Sequence, residues 1–223
     1  DESSLAENAE VGEMLRPLSG SPHNCIETFV ASHKHYKYVP FIINAIEKAS
    51  KDINIGIAKR SPNYIRQKMQ EGKAIIALDG KLFAGFSYIE TWEHESFIST
   101  SGLIIPEEYR GIGLSKKIKA MTFLLARTKW PKAKIFSLTT SGAVIKMNNA
   151  LCYHPVTFAD LTTDEEFWKG CEGCSNVGIL HRTGRKYCIC TAMLYEKEKH
   201  PVDRLSVILK EWAKLKISKN GES

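Results

Sequence analysis

Leu103-Ile104-Ile105-Pro106-Glu107-Glu108-Tyr109-Arg110-Gly111-Ile112-Gly113-Leu114-Ser115-Lys116-Lys117-Ile118 passes from an apolar strand end through an Arg-Gly-x-Gly turn into a segment rich in Leu, Ile, Ala and Lys. A strand, a glycine turn and a helix start in succession bring unpaired backbone N–H groups to one point, where the helix dipole is positive. That point predicts a bound phosphate. Gly111 and Gly113 permit positive φ and close approach of a ligand, while Arg110, Lys116 and Lys117 attract an anion from a distance. Neither common nucleotide loop is present: G-x-x-x-x-G-K-[ST] is missing, and a G-x-G-x-x-G fails at its last small residue. Taken alone, the four turn residues also fit a plain strand-to-helix turn.

The flanking segments place this turn in a definite order of elements. Residues 1–24 read as an irregular lead-in, broken by Pro17, Gly20 and Pro22. Alternation over residues 25–31 predicts a first strand. Tyr38, Phe41, Ile42, Ala45 and Ile46 have helical spacing, and Ser61-Pro62 starts a second helix carrying Tyr64, Ile65 and Met69. Residues 74–78 and 82–92 read as a hairpin closed by Asp79-Gly80. A strand over 97–105, the glycine turn, a helix over 113–128, a strand over 134–139 and a short helix over 143–151 follow. The fold class is α/β, with a mixed sheet flanked by helices.

The Arg110-Gly111-Ile112-Gly113 turn, with Ile105 before it and Ser115 after it, resembles the acyl-CoA loop of the GNAT superfamily of N-acyltransferases. Ser115 stands where Gly or Ala is usual. The order β-α-α-β-β-β-α-β-α-β is also that of the family. The resemblance covers residues 25–158 and implies a splayed central sheet. It implies that the amides of Arg110, Gly111, Ile112, Gly113, Leu114 and Ser115 hold the pyrophosphate of coenzyme A, and that Leu103, Ile104 and Ile105 bond its pantetheine arm. The implied reaction is direct transfer of an acetyl group from acetyl-CoA to an amine, which needs a proton acceptor, oxyanion donors and an acid for the thiolate.

Glu90 is the first candidate for the base: it is the only carboxylate of an otherwise apolar strand, where partial burial would raise its pKa toward neutrality. His94 is the second, with Glu93 and Glu95 beside it; a solvated hairpin tip is the competing reading for these. Thr139 and Thr140 either touch substrate or cap the next helix. Many family members carry a Tyr acid on the last core helix, five residues before the Phe of a Gly-Phe pair. Here Cys152-Tyr153 replaces that pair and Asn148 stands at the acid position, able to bond the coenzyme but not to deliver a proton.

Cys171-x-x-Cys174 and Cys188-x-Cys190 form a cysteine-rich C-terminal appendage, whose four thiols could meet around one tetrahedral zinc; packing of Cys188 and Cys190 on a strand over 186–195 is the alternative. Cys25 and Cys152 are expected to pack, and a Cys152–His154 nucleophile pair has little support. Residues 153–158, 167–171 and 185–195 resemble a bacterial GNAT subgroup associated with arginine biosynthesis and similar to N-acetylglutamate synthase. That resemblance suggests glutamate or a related amino acid as acceptor. Lys59 and Arg60 are candidates to bind its carboxylates.

In a chain of 223 residues with 43% hydrophobic content, this organises into the lead-in 1–24, a core 25–158, a cysteine-rich segment with a final strand 159–198, and an amphipathic helix and tail 199–223. Val202, Leu205, Ile208, Leu209, Trp212 and Leu215 give that helix an apolar stripe, to be covered by its own core or by a second copy in a homodimer. A net charge of +6 suits a phosphorylated ligand and does not call for nucleic acid. No run reaches the roughly 18 apolar residues of a membrane span, and no secretory signal is apparent, so the cytoplasm is the expected compartment. The alternative to an enzyme is a non-catalytic acyl-CoA-binding or zinc-dependent interaction module.

Overall fold

The computed structural model describes residues 25–51, 57–199 and 202–218; the lead-in 1–24 lies outside them. Two helices, α1 (Val39–Ser50) and α2 (Pro62–Gln70), follow the first strand β1 (Glu27–Val30). Next come β2 (Ala74–Asp79), β3 (Leu82–Trp92) and β4 (Phe97–Ile104), then α3 (Leu114–Lys129), β5 (Lys134–Thr139), α4 (Gly142–Ala150) and β6 (His154–Pro155). The cysteine-rich segment contributes the short helices α5 (Glu165–Lys169) and α6 (Val177–Arg182), and ends in β7 (Thr191–Tyr195) before α7 (Val202–Ala213). Among the described residues no helix is long and apolar enough to cross a membrane.

Among the described residues seven strands form one sheet in the order β1-β2-β3-β4-β5-β7-β6. β7 lies inside it, paired with β5 from Ile135 opposite Tyr195 to Thr139 opposite Thr191. The final strand is shorter than the alternation over 186–195 suggests, and Cys188 and Cys190 precede it. The β2–β3 turn also differs: Asp79 pairs with Leu82, so the two-residue loop is Gly80-Lys81. Gly80, at φ 58°, takes the left-handed conformation that only glycine adopts without strain.

Side-chain alternation divides the core into two faces. One face carries Ile75, Ile89 and Ile135 onto α3, where Ile118 and Phe123 are fully buried, and onto α7 through Leu205, Leu209 and Trp212. The amphipathic stripe of α7 is thus covered by the chain's own core. The opposite face packs α1 and α2 against Ile76, Phe86 and Tyr88, and packs the cysteine-rich segment, through Phe158, Leu161 and Trp168, against Phe136 and Leu194. A gap separates these last two clusters.

Lys119 of α3 is buried on the first face at 4% exposure. Its Nζ donates to Thr100 Oγ1 at 3.1 Å and lies 5.2 Å from the centre of the Tyr153 ring. With no carboxylate beside it, burial lowers its pKa to about 7. The unfolded chain keeps that lysine near about 10.4. Between these values only the unfolded state holds the proton, so stability rises with pH across the window and falls as pH drops toward 7. We expect Lys119→Met to melt above wild type at pH 7, with the gap narrowing by pH 10. A gap independent of pH in thermal melts would contradict this.

Candidate functional site

The Arg-Gly-x-Gly turn falls where β4 ends and α3 begins. A single turn of 3-10 helix, Glu107–Tyr109, precedes it, and buried Tyr109 donates to Asp79 Oδ2 at 2.9 Å, fixing the loop to the β2–β3 turn. Gly111 and Gly113 have φ of 79° and 87°. Gly113 is the N-cap of α3 and supplies no side-chain acceptor, whereas Ser61 and Ser141 cap α2 and α4 with their hydroxyls. Among the described residues the N–H groups of Gly111, Ile112, Gly113, Leu114 and Ser115 have no hydrogen-bond acceptor. A row of such amides on left-handed glycines at a helix start is an anion-binding concavity. A Cβ added to Gly111 would meet nothing within 4 Å, so the space above it is open. The expected cationic support is partly committed elsewhere: Arg110 Nε donates to Ile105 O at 3.0 Å, and Lys117 Nζ to Leu215 O at 2.7 Å.

Behind this loop the sheet parts. β4 and β5 run parallel but pair only at Phe97–Lys134, Ile98–Ile135 and Ser99–Phe136. Beyond Ser99, both strands continue without pairing to each other, leaving a cleft that opens toward the loop. β4 carries a bulge here: Phe86 pairs with Ile104 and Tyr88 with Ser101, so Ser87 alone faces Gly102 and Leu103. Gly102 has φ 61°, and a Cβ there would come within 2.2 Å of Tyr88 Cε1. Only glycine fits the bulge.

On the face shared by α2 and the cysteine-rich segment, the cleft opens into a cavity of about 150 Å³. Its floor comes from alternate residues of β3 and β4, including Tyr88, Glu90, Ser99 and Ser101. Glu90 is not the isolated carboxylate that the strand pattern suggests. Lys68 Nζ sits 2.7 Å from its Oε1, and Tyr64 donates to the same oxygen. The Lys68 and Glu90 side chains are only 6% and 13% exposed. Burial, then Tyr88 and Glu90 nearby, push the Tyr64 phenol far above its ordinary range, which keeps it a donor. Arg60 completes the group: its Nε donates to Tyr88 Oη at 3.0 Å, and its guanidinium lies 5.2 Å from the Tyr64 ring centre.

Other candidates fall elsewhere. His94 is exposed on the β3–β4 turn, where Glu93, His94 and Glu95 all have positive φ, and it does not line the cavity. Glu93 instead accepts from Thr162 Oγ1 and from Thr163, pinning the start of the cysteine-rich segment. Thr139 Oγ1 accepts from Ser141 N, supporting the α4 cap. Asn148 is fully buried, its Nδ2 3.6 Å from Met193 Sδ and its Oδ1 without a partner. Cys152 has φ 63°, the conformation that makes Gly usual at its position. His154 pairs with Glu196 at 3.5 Å.

The tetrahedral site expected of Cys171, Cys174, Cys188 and Cys190 is not formed: among the described residues no three His, Cys, Asp or Glu side chains are arranged to hold a metal ion. All four cysteines line the cavity. Burial first, and neighbouring thiols second, push Cys171 up to about 11 and Cys190 to about 12, so both are neutral thiols at pH 7. Spacing alone brings the thiols together but does not fix their orientation. Tyr64 and Lys68, which the sequence reading does not single out as functional, are spaced i, i+4 on α2, a signal that they share the face toward Glu90.

No protein-family profile matches the sequence, and no curated protein sequence matches it. Solved structures do. The N-acetylglutamate synthase of Neisseria gonorrhoeae, complexed with coenzyme A and N-acetyl-glutamate, superposes with a TM-score of 0.55 at 12% identity over 77% of this chain, which spans 35% of that synthase chain. A Mycobacterium tuberculosis protein in complex with CoA gives 0.54 at 13% identity, covering 76% of this chain and 98% of its own. A Salmonella typhimurium protein solved with its cofactor acetyl-CoA gives 0.54 at 11% identity, covering 79% and 96%. At these identities the likeness is one of fold. The chain has the GNAT fold.

The Lys68–Glu90 pair makes a test of the site's construction. Glu90→Gln leaves a buried ammonium with only Glu71, at 3.7 Å, to offset it. We expect a loss of about 3–5 kcal/mol and a fall in melting temperature of about 6–20 °C. The double variant Glu90→Gln/Lys68→Met should recover most of that. Additive losses in the double-mutant cycle would show that the two charges do not depend on each other.

Proposed function

We propose that this chain is an acyl-CoA-dependent N-acyltransferase, moving an acetyl group from acetyl-CoA to the amine of a small amino-acid-like acceptor by direct attack with both substrates bound. The observation that carries the reading is the row of unpaired amides from Gly111 to Ser115 at the opening of the β4–β5 cleft. A pyrophosphate fits that row. Leu103, Ile104 and Ile105 then offer backbone groups to the pantetheine arm, and the cavity beyond receives the acceptor.

Within this reading Glu90 handles the amine proton. Both of its closest contacts are to Oε1, which leaves Oε2 to hold an ammonium and take its proton, directly or through water. The bulge at Gly102 turns backbone N–H groups away from the regular ladder, where they can serve the developing oxyanion. Asn148 has no proton to give a thiolate, so water fills that role, and its full burial keeps its Oδ1 from the coenzyme bond that the sequence suggests. The four cysteines enter as cavity wall, and no step is assigned to zinc. Glutamate is the acceptor suggested by resemblance of the cysteine-rich tail, and one fold relative is an N-acetylglutamate synthase. A non-catalytic acyl-CoA-binding module is the second reading, favoured by one observation: an amide stands where a proton-donating phenol is usual.

Turnover separates the two readings: acetyl-CoA consumption with a panel of amino acids should release free CoA thiol in step with acceptor acetylation. For the loop, Gly111→Ala puts a methyl group into the open space above the amides at a positive φ. Calorimetric titration should show CoA affinity reduced at least about tenfold, equivalent to about 1.4 kcal/mol, with an unchanged far-ultraviolet dichroism spectrum. Wild-type affinity in this variant would contradict the assignment of the loop.

A further inference from the structure

The lining of the acceptor cavity specifies more than an amine. Among the described residues only two of its side chains are charged, Arg60 and Glu90. They are neighbours, because Tyr64 touches both: its ring faces the Arg60 guanidinium and its hydroxyl donates to Glu90. Tyr88 reinforces the arrangement, accepting from Arg60 and packing edge-on against Tyr64 with ring centres 5.6 Å apart. One cation and one anion so placed match a zwitterion, its carboxylate on Arg60 and its ammonium at Glu90.

Apart from Ser99 and Ser101 in the floor and Asn176, the remaining wall is apolar. Trp92, Leu138, Phe158, Phe167, Val177 and Leu180 contribute hydrocarbon surface, and the cysteines contribute thiols. The cysteine-rich segment is seated against the chain before α2: a Cβ on Gly173 would lie 3.7 Å from Ala58 Cβ, and one on Gly170 would lie 3.8 Å from Arg60 Nη2. That seating closes the cavity over Arg60. A second carboxylate on the ligand would find no second cation among the described residues, since Lys68 is engaged by Glu90 and Lys59 is exposed outside the lining. Burying an unpaired charge there is strongly unfavourable.

We infer that the acceptor is an α-amino acid with an uncharged, apolar side chain, bound through its carboxylate by Arg60 and through its ammonium by Glu90, with the side chain against the wall built by the cysteine-rich segment. This rests on the acyltransferase reading and narrows it away from glutamate.

The test measures acetyl transfer by the full chain from acetyl-CoA to leucine, methionine and phenylalanine, to glutamate and lysine, and to phenethylamine and isoamylamine as decarboxylated analogues. The best apolar amino acid should exceed glutamate in kcat/KM by about 100-fold or more, and its decarboxylated analogue by a similar factor. Arg60→Gln should raise the KM for the amino acid by about 10- to 100-fold and shrink its preference over the decarboxylated analogue to less than about threefold. Arg60→Lys should recover part of that preference. Activity confined to glutamate or to amines without a carboxylate overturns the inference, as does absence of transfer to any acceptor while CoA still binds. Failure to bind CoA in a parallel titration overturns the acyltransferase reading itself.

Discussion

The parting of β4 from β5 is the constraint on which the rest of the site depends. Parallel pairing holds for three residue pairs and stops at Ser99 and Phe136. Continued pairing would close the cleft and leave no route between the loop at the start of α3 and the cavity on the opposite face. The bulge at Gly102 belongs to the same device. Placing two residues opposite Ser87 bends β4, and the Tyr88 ring occupies the space that a side chain at position 102 would need. Tyr88 in turn holds Arg60. A glycine, an aromatic ring and a guanidinium therefore link the shape of the sheet to the charge of the cavity.

The ionic group under the cavity illustrates how burial and pairing decide between chemical roles. Glu90 lies in an apolar strand, and Lys68 Nζ at 2.7 Å supplies the opposite charge that its burial calls for. The contacts from Lys68 and Tyr64 both fall on Oε1 and leave Oε2 to the cavity. Lys119 on the other face has no such partner, and burial there wins instead, bringing its pKa to about 7. Of these two buried lysines, only Lys68 has a carboxylate within contact.

Much of the architecture is legible in the sequence because its elements carry strong local signals. Ser61-Pro62 starts α2 with the hydroxyl cap that its residue types imply, and the apolar run with its Gly80 turn forms the β2–β3 hairpin. The Arg-Gly-x-Gly turn is legible for the same reason: left-handed backbone at Gly111 and Gly113 is a local requirement. What depends on tertiary placement is not legible. The partner of Glu90 lies 22 positions earlier, on a helix whose orientation the periodicity does not give. The cysteines read as a zinc knuckle by spacing, yet all four line the cavity, because the segment bearing them packs through Phe158, Leu161 and Trp168 onto Phe136 and Leu194. The end of the hairpin is a milder case: three consecutive residues of positive φ, Glu93, His94 and Glu95, make a turn that points to no motif and carries His94 into solvent.

Backbone amide exchange with and without CoA tests the central claim most directly, since the Gly111–Ser115 amides have no protein acceptor among the described residues. In the free protein these amides should exchange rapidly, and saturating CoA should slow them, together with amides of residues 103–105, while the hairpin tip around His94 stays unchanged. If CoA binds and protection appears elsewhere, with exchange at Gly111–Ser115 unaltered, the loop is only a turn and the cleft behind it is not the coenzyme site.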